Sequence, residues 1–224
     1  MRSESAVKFQ TQSGKVYQSI RDEILRGGLK PGARLIRRTL GKQYGTSAIA
    51  VAEALWKLES DGLVESEPMY GSRVSSFTSR QVKEEMLLRM ALETEVARLC
   101  AERASELPAD ELIKKAEAID AVMSVKQEGC HQQDIEAHAD FHRSLAAHCG
   151  SGAIAEELER VWFRHIMLYS SVNAGMFPVP PDWHQRLLQA ILSGDPDRAD
   201  AAMREHIRFG SEHLNEVVTH LKHL

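Results

Sequence analysis

The chain has no long hydrophobic run. Nothing in its 224 residues approaches the roughly 18 consecutive apolar positions of a membrane-spanning helix, and the opening MRSESAVKFQTQSGK lacks the apolar core of a signal peptide. The sequence therefore predicts a protein that enters no membrane and works in the cytoplasm. Cysteine is scarce as well. Cys100, Cys130 and Cys149 are odd in number and form no C-x-x-C pair, which argues against a disulfide framework and against a cysteine zinc finger. Enzyme signatures are missing too: there is no G-x-S-x-G elbow, no phosphate-binding glycine loop and no H-E-x-x-H helix. A di-iron bundle needs E-x-x-H on two helices, and the single instance, Glu128 to His131, is interrupted by Gly129. A metalloenzyme is the rival class that these absences disfavour.

Charge is divided unevenly along the chain. Residues 1–78 hold 12 Lys+Arg against 8 Asp+Glu, net +4, while residues 79–224 hold 16 against 24, net −8. A basic front joined to an acidic back fits a module that faces phosphate attached to one that does not. All ten histidines lie in the back part, from His131 onward. These shifts place a boundary near Phe77 and divide the chain into a flexible tail (1–13), a front domain (14–77) and a back domain (78–224).

In the front domain Val16, Ile20, Ile24 and Leu25 recur at helical spacing until Gly27-Gly28 stops them, and Leu29-Lys30-Pro31-Gly32 makes a turn. Leu40 and Tyr44 mark a second short helix ending at Gly45, and Ser47 is a suitable N-cap for a third. Val51, Leu55 and Leu58 give that third helix a core-facing stripe, and Asp61-Gly62 ends it. Leu63-Val64-Glu65 and Ser72-Arg73-Val74 then read as two strands across a turn containing Pro68 and Gly71. Helix, turn, two short helices and a glycine-tipped hairpin are the order of a winged helix-turn-helix.

The front domain resembles the DNA-binding domain of the GntR family of bacterial transcription regulators. Leu29-Lys30-Pro31-Gly32, Leu35, Arg38, Leu40, Gly45, Ser47, Val51, Glu53-Ala54-Leu55, Leu58 and Gly62-Leu63-Val64 carry the likeness in order and spacing. The resemblance implies binding to a double-stranded DNA operator. Two positions depart from it: an arginine usually follows the serine and another precedes the glutamate, whereas this chain has Ala48 and Ala52, with Ala50 in place of the usual proline. A bidentate arginine on guanine is worth about 1–3 kcal/mol of discrimination, so the usual reading code is altered. Three outcomes stay open. The operator is read through Thr46, Ser47, Ile49 and DNA shape, with Arg37, Arg38, Lys42, Lys57 and Arg73 on phosphates. Alternatively the wing supplies specificity, Gly71 letting the backbone approach a groove beside Arg73. In the third case strong DNA binding is lost, and the protein is a metal or small-acid sensor.

The back domain reads as helices only. Apolar periodicity runs through 82–104, 112–125, 135–147, 154–169, 187–192 and 199–221, with breaks at Leu107-Pro108, Glu128-Gly129, Gly150-Ser151-Gly152, Gly175 to Pro181 and Gly194-Asp195-Pro196. The expected architecture is thus mainly α, a winged helix-turn-helix with a small β-hairpin followed by an all-α bundle of about six helices, which can enclose a pocket. His138 and His142 stand at i and i+4, on one helical face at the spacing of a metal-ligand pair.

Here the chain resembles the FadR-like subfamily with its C-terminal metal-binding FCD-type domain. The segment Ala137 to His142 followed by Leu145 is similar to the subfamily's D-x-x-F-H helix, and Trp183-His184-x-x-Leu187-Leu188 and Met203-x-x-His206-Ile207 to its other two ligand helices. The resemblance implies a metal held by His138, His142, His184 and His206, with His138 where aspartate is usual. Asp140 does not substitute, because two residues along a helix is about 200° around it. An imidazole in place of a carboxylate favours Zn²⁺, Ni²⁺ or Cu²⁺ over Mg²⁺, and zinc is preferred by availability. The remaining histidines, His165 among them, read as ordinary buried or surface residues. Arg89 and Glu93 match an R-x-x-L-E-like pattern that implies a contact to a small organic or sugar acid effector. The expectation is a homodimer that presents two winged helices to two half-sites.

Overall fold

The computed structural model describes residues 11–67, 69–123, 132–172 and 179–220, and side chains for all of these but 132, 172 and 212–220. The expected breaks at Glu128-Gly129 and Gly175, together with Pro68, Cys130, His131 and His223, lie outside the described residues, as do the side chains of His213 and His220. The chain divides into two compact units, 1–76 and 77–224.

The first unit starts with α1 (Gln12–Leu25), whose Val16, Tyr17, Ile20, Ile24 and Leu25 are buried at helical spacing. Thr11 caps it, its hydroxyl accepting from Gly14 N at 3.1 Å. The expected tail over 1–13 is therefore too long: Thr11 to Ser13 form the cap and first turn, and residues 1–10 lie outside the described set. That turn is polar and exposed, so hydrophobic periodicity does not reveal it. Strand β1 (Arg34–Leu35) leads into α2 (Arg37–Gln43), and Gly45 takes a φ of +60° in the turn before α3 (Ala48–Ser60). Strands β2 (Val64–Glu67) and β3 (Gly71–Val74) form the wing, paired Val64 to Val74 through Glu67 to Gly71.

Strand β1 adds to β3 on its other side, Arg34 opposite Arg73, so the sheet has three antiparallel strands in the order β1-β3-β2. The sequence shows only two of them, because a two-residue strand has too few positions to display alternation. Ile20, Val51, Leu58, Leu63 and Val74 are fully buried and form the centre of this unit's core, to which α2 adds Leu40. Each such side chain contributes roughly 1.5–3 kcal/mol of burial free energy.

The second unit contains α4 (Ser79–Glu102), a short 3-10 turn (Ala104–Glu106), α5 (Ala109–Met123), α6 (Gln132–His148), α7 (Gly152–Val172), α8 (Trp183–Leu192) and α9 (Pro196–His220). Thr78 and Gln81 form a reciprocal capping box at the start of α4. Asp195 caps α9, accepting from the amides of Asp197 (3.0 Å) and Arg198 (3.1 Å), with Pro196 at the first helical position. Helix α4 packs against α6, α7, α8 and α9 and occupies the centre. Phe141, Leu145, Leu158, Trp162, Ile166 and Met203 fill the surrounding core. No helix among the described residues is long and apolar enough to cross a membrane.

Candidate metal centre and nucleic-acid face

Helices α2 and α3 present the residues expected to meet DNA. Arg37, Arg38 and Lys42 are exposed and form no ion pair with described residues. Ile49 is 73% exposed, Ala48 is exposed and Ala52 is half-buried, so the first turn and a half of α3 shows a largely apolar outer face. Ser47 caps α3 as the sequence predicts, its Oγ accepting from Ala50 N at 3.2 Å.

Three other expected contacts are already engaged. Thr46 Oγ1 donates to Gln12 Oε1 (2.8 Å), and Lys57 Nζ sits 4.3 Å above the Tyr17 ring. Arg73 Nε donates to Glu65 (2.9 Å) and its Nη2 to Glu67, so a phosphate has to compete with two carboxylates for it. Gly71 is exposed with φ +85°, a conformation that L side chains rarely adopt.

In the second unit, His138 and His142 of α6, His184 of α8 and His206 of α9 converge. One ring nitrogen from each lies within 4.8 Å of the others. The folded core forces this convergence: α6 buries Ile135, Ala139, Phe141 and Leu145, which turns His138 and His142 inward. His142, His184 and His206 are buried. Burial first, then the neighbouring imidazoles and Arg89, holds the pKa of His138 and of His206 well below the ordinary value, so both rings are neutral.

One carboxylate fixes the tautomer of a ring by hydrogen bonding, and a second stands close behind another ring. His184 Nδ1 donates to Asp120 Oδ1 at 2.7 Å, which leaves its Nε2 as a buried lone pair without a partner. His142 Nδ1 lies 2.7 Å from Glu93 Oε2, and its Nε2 faces His138 Nε2 at 3.1 Å. His206 also keeps a buried, unpartnered Nδ1, its ring stacked on Trp183 with centroids 5.3 Å apart. Two nitrogens on one tetrahedral Zn²⁺ stand ~3.3 Å apart given Zn–N bonds of about 2.0–2.1 Å. Neutral imidazoles, orphaned nitrogens aimed inward and carboxylates behind the rings fit a borderline transition-metal ion.

Asp120 has no counterpart in the sequence reading. It projects from α5 to the start of α8, where it accepts from the backbone amides of His184 (2.9 Å) and Gln185 (3.1 Å) as well as from the His184 ring. Burial would raise its pKa, but these hydrogen bonds hold it lowered. Asp182, beside the helix start, has a φ of +57° and makes no side-chain cap, so Asp120 supplies the capping carboxylate from another helix.

Arg89 is almost fully buried, with Nε 2.8 Å from Glu93 Oε1, Nη1 3.2 Å from His165 Nε2 and its guanidinium carbon 4.3 Å from the centre of the Trp162 ring. It lines a narrow pocket together with His138, His165, Tyr169, His184 and His206. Glu93, the other half of the expected effector pair, is not among the residues lining this pocket, and its two oxygens face Arg89 and His142. Burial opposes its charge, yet Arg89 and His142 bring its pKa down to about 2. Glu93 is a positioning residue for both. His165, read from sequence as ordinary, is part of the cavity wall, and burial followed by Arg89 keeps it neutral. Its position four residues before Tyr169 and three after Trp162 on an apolar face is the signal that marks it. His148 is a surface residue whose Nδ1 bonds the Ser144 carbonyl at 2.8 Å.

Comparison with known proteins agrees with this division. Residues 12–74 match "Bacterial regulatory proteins, gntR family" and residues 85–209 match "FCD domain". Among curated relatives, the HTH-type transcriptional repressor GlaR of Escherichia coli K12 is 28% identical over 203 residues, covering 85% of this chain and 90% of that one. A probable D-xylose utilization operon transcriptional repressor of Paenarthrobacter nicotinovorans is 28% identical over 206 residues, covering 88% and 86%. The solved structure of E. coli McbR/YncC shares the fold with a TM-score of 0.70 at 22% identity, covering 92% and 98%. These families and relatives are transcriptional regulators rather than enzymes. The chain belongs to the GntR family of bacterial transcriptional regulators, in the FadR-like arrangement of a winged helix-turn-helix followed by an FCD domain.

Proposed function

We propose that this protein is a ligand-responsive regulator whose helical unit holds a divalent transition metal, zinc by preference, through His138, His142, His184 and His206. A small organic or sugar acid binds in the cavity beside the metal, and its binding changes operator affinity. The observation that carries this reading is the set of four imidazoles within 4.8 Å, two of them backed by the carboxylates of Asp120 and Glu93. A metal held by the four histidines would take the carboxylate by expanding beyond four-coordination. Arg89 offers that carboxylate a guanidinium pre-oriented by Glu93 and Trp162, while His165 and Tyr169 shape the rest of the wall. The protein acts in the cytoplasm as a homodimer, so that two winged helices meet two half-sites. Effector and operator affinities are then linked reciprocally.

Elemental analysis of the purified protein tests the metal. One equivalent of metal is expected in the wild type and loss in His142→Ala and His184→Ala; full metal in both variants sinks the site. A thermal-shift screen of small acids on metal-loaded protein identifies the effector, and an acid that occupies the cavity without changing affinity for an operator selected from genomic fragments defeats the coupling. A second reading, a sensor with weak sequence-specific DNA binding, is favoured by Ala48, Ala52 and the engaged Arg73. Recovery of no enriched genomic fragment selects it.

A further inference from the structure

The outer face of α3 carries chemistry that narrows what its operator can be, given the regulator reading proposed above. In a helix-turn-helix the N-terminal residues of the second helix meet base edges in the major groove. Here those residues are Ala48, exposed at the first helical position, Ile49, 73% exposed, and Ala52 one turn further on. None has a donor or acceptor beyond its backbone. The nearest hydroxyls are partly committed, Thr46 donating to Gln12 and Ser47 accepting from Ala50 N.

Guanine, cytosine and adenine each present only polar groups in the major groove, and thymine alone adds a methyl. Pressing Ala48, Ile49 or Ala52 onto a guanine or cytosine edge strips water from donors and acceptors and returns no hydrogen bond. Pressing them onto a thymine methyl buries apolar surface against apolar surface. The same face thus rewards one base and penalises others, which is how specificity arises. Arg37, Arg38 and Lys42 stand exposed and without ion pairs among the described residues, available to hold the phosphates that flank the groove.

We infer that Ala48, Ile49 and Ala52 read thymine C5-methyl groups, so that each operator half-site carries A·T pairs where an arginine-bearing helix of this type would take guanine. The test begins with selection of a random duplex library on the full-length protein. Each thymine of the enriched half-site is then replaced by deoxyuridine, which removes the methyl and leaves every hydrogen-bonding group in place, and affinity is measured by fluorescence anisotropy at fixed salt. Loss of one buried methyl is expected to weaken binding about four-fold at one or more positions. In Ala48→Arg or Ala52→Arg, a repeated selection is expected to exchange thymine for guanine at the facing position. An enriched half-site at which every deoxyuridine is neutral overturns the inference and leaves the regulator reading standing. A library from which no sequence is enriched overturns both.

Discussion

Asp120 and His184 meet twice: one carboxylate oxygen of Asp120 accepts both the backbone amide of His184, at 2.9 Å, and its ring Nδ1, at 2.7 Å. Position and tautomer of the ring are therefore set by a single atom on another helix. The same residue caps the start of α8 and aims its histidine, which couples formation of the site to packing of α5 against α8.

Replacing Asp120 by asparagine keeps the shape but removes the charge and one acceptor. Metal affinity, measured by competition with a chelator, is expected to fall about 10–100-fold, the usual effect of losing an outer-sphere carboxylate. His184→Ala should abolish retention altogether. Unchanged affinity in Asp120→Asn would show that the ring needs no orienting partner.

Acid should destabilise the metal-stripped protein in two stages. The buried histidines have folded pKa values lowered from 6.5, chiefly by burial, so the unfolded chain takes up protons the folded one refuses, and stability falls as pH drops below about 6.5. Glu93, lowered from 4.5 to about 2, contributes stability that is complete above pH 4.5 and lost as pH falls toward 2. Urea midpoints across pH should show both declines. Glu93→Gln should be less stable at neutral pH, because Arg89 is left buried without its counter-charge, and should lose less between pH 4.5 and 2.

In the winged helix, the Tyr17 hydroxyl donates to Asp61 Oδ2 at 2.6 Å in a buried setting that joins α1 to the end of α3. Tyr17→Phe removes a hydrogen bond to a charged acceptor, and about 1.5–3 kcal/mol of stability should go with it. Urea unfolding followed by circular dichroism measures the loss. A change well under 1 kcal/mol would mean that the acid finds full compensation elsewhere.

The wing's acidic residues should act on DNA binding rather than on stability. Glu65 and Glu67 hold Arg73 at the surface, and exposed pairs contribute little to folding. Converting both to glutamine frees the guanidinium for phosphate and removes two repulsive charges. Affinity for non-specific duplex should rise and its salt dependence steepen by about one logarithmic unit per new phosphate contact, with an unchanged melting temperature. A flat salt slope would place Arg73 away from the phosphates.

Much of this was legible beforehand, for identifiable reasons. Val51, Leu55 and Leu58 announce α3, Ser47 its cap and Gly45 the turn before it, because periodicity and turn chemistry are local. His138 and His142 share a face by spacing alone, whereas His184 and His206 join them only by resemblance to a family pattern, since neither lies near them in sequence. Asp120 was invisible: it is one acid on a helix with several, and its partner is 64 residues away. His165 carries only the weak signal of its place between Trp162 and Tyr169, and the packing of α7 against Arg89 is what brings it to the site. For Glu93 the i, i+4 rule gives the pairing with Arg89 and cannot show that the other oxygen meets His142.

The tryptophans beside the site give the protein its own optical probe. Trp162 lies 5.0 Å from the His142 ring and under the Arg89 guanidinium, Trp183 stacks on His206, and Trp56 is 76% exposed on the other unit. Two buried emitters thus touch the groups that would hold metal and effector, while the third emits at longer wavelength from water. Titrating Ni²⁺ or Cu²⁺ should quench the blue part of the emission and spare the red, so loading of the site can be followed in unlabelled protein without reference to DNA.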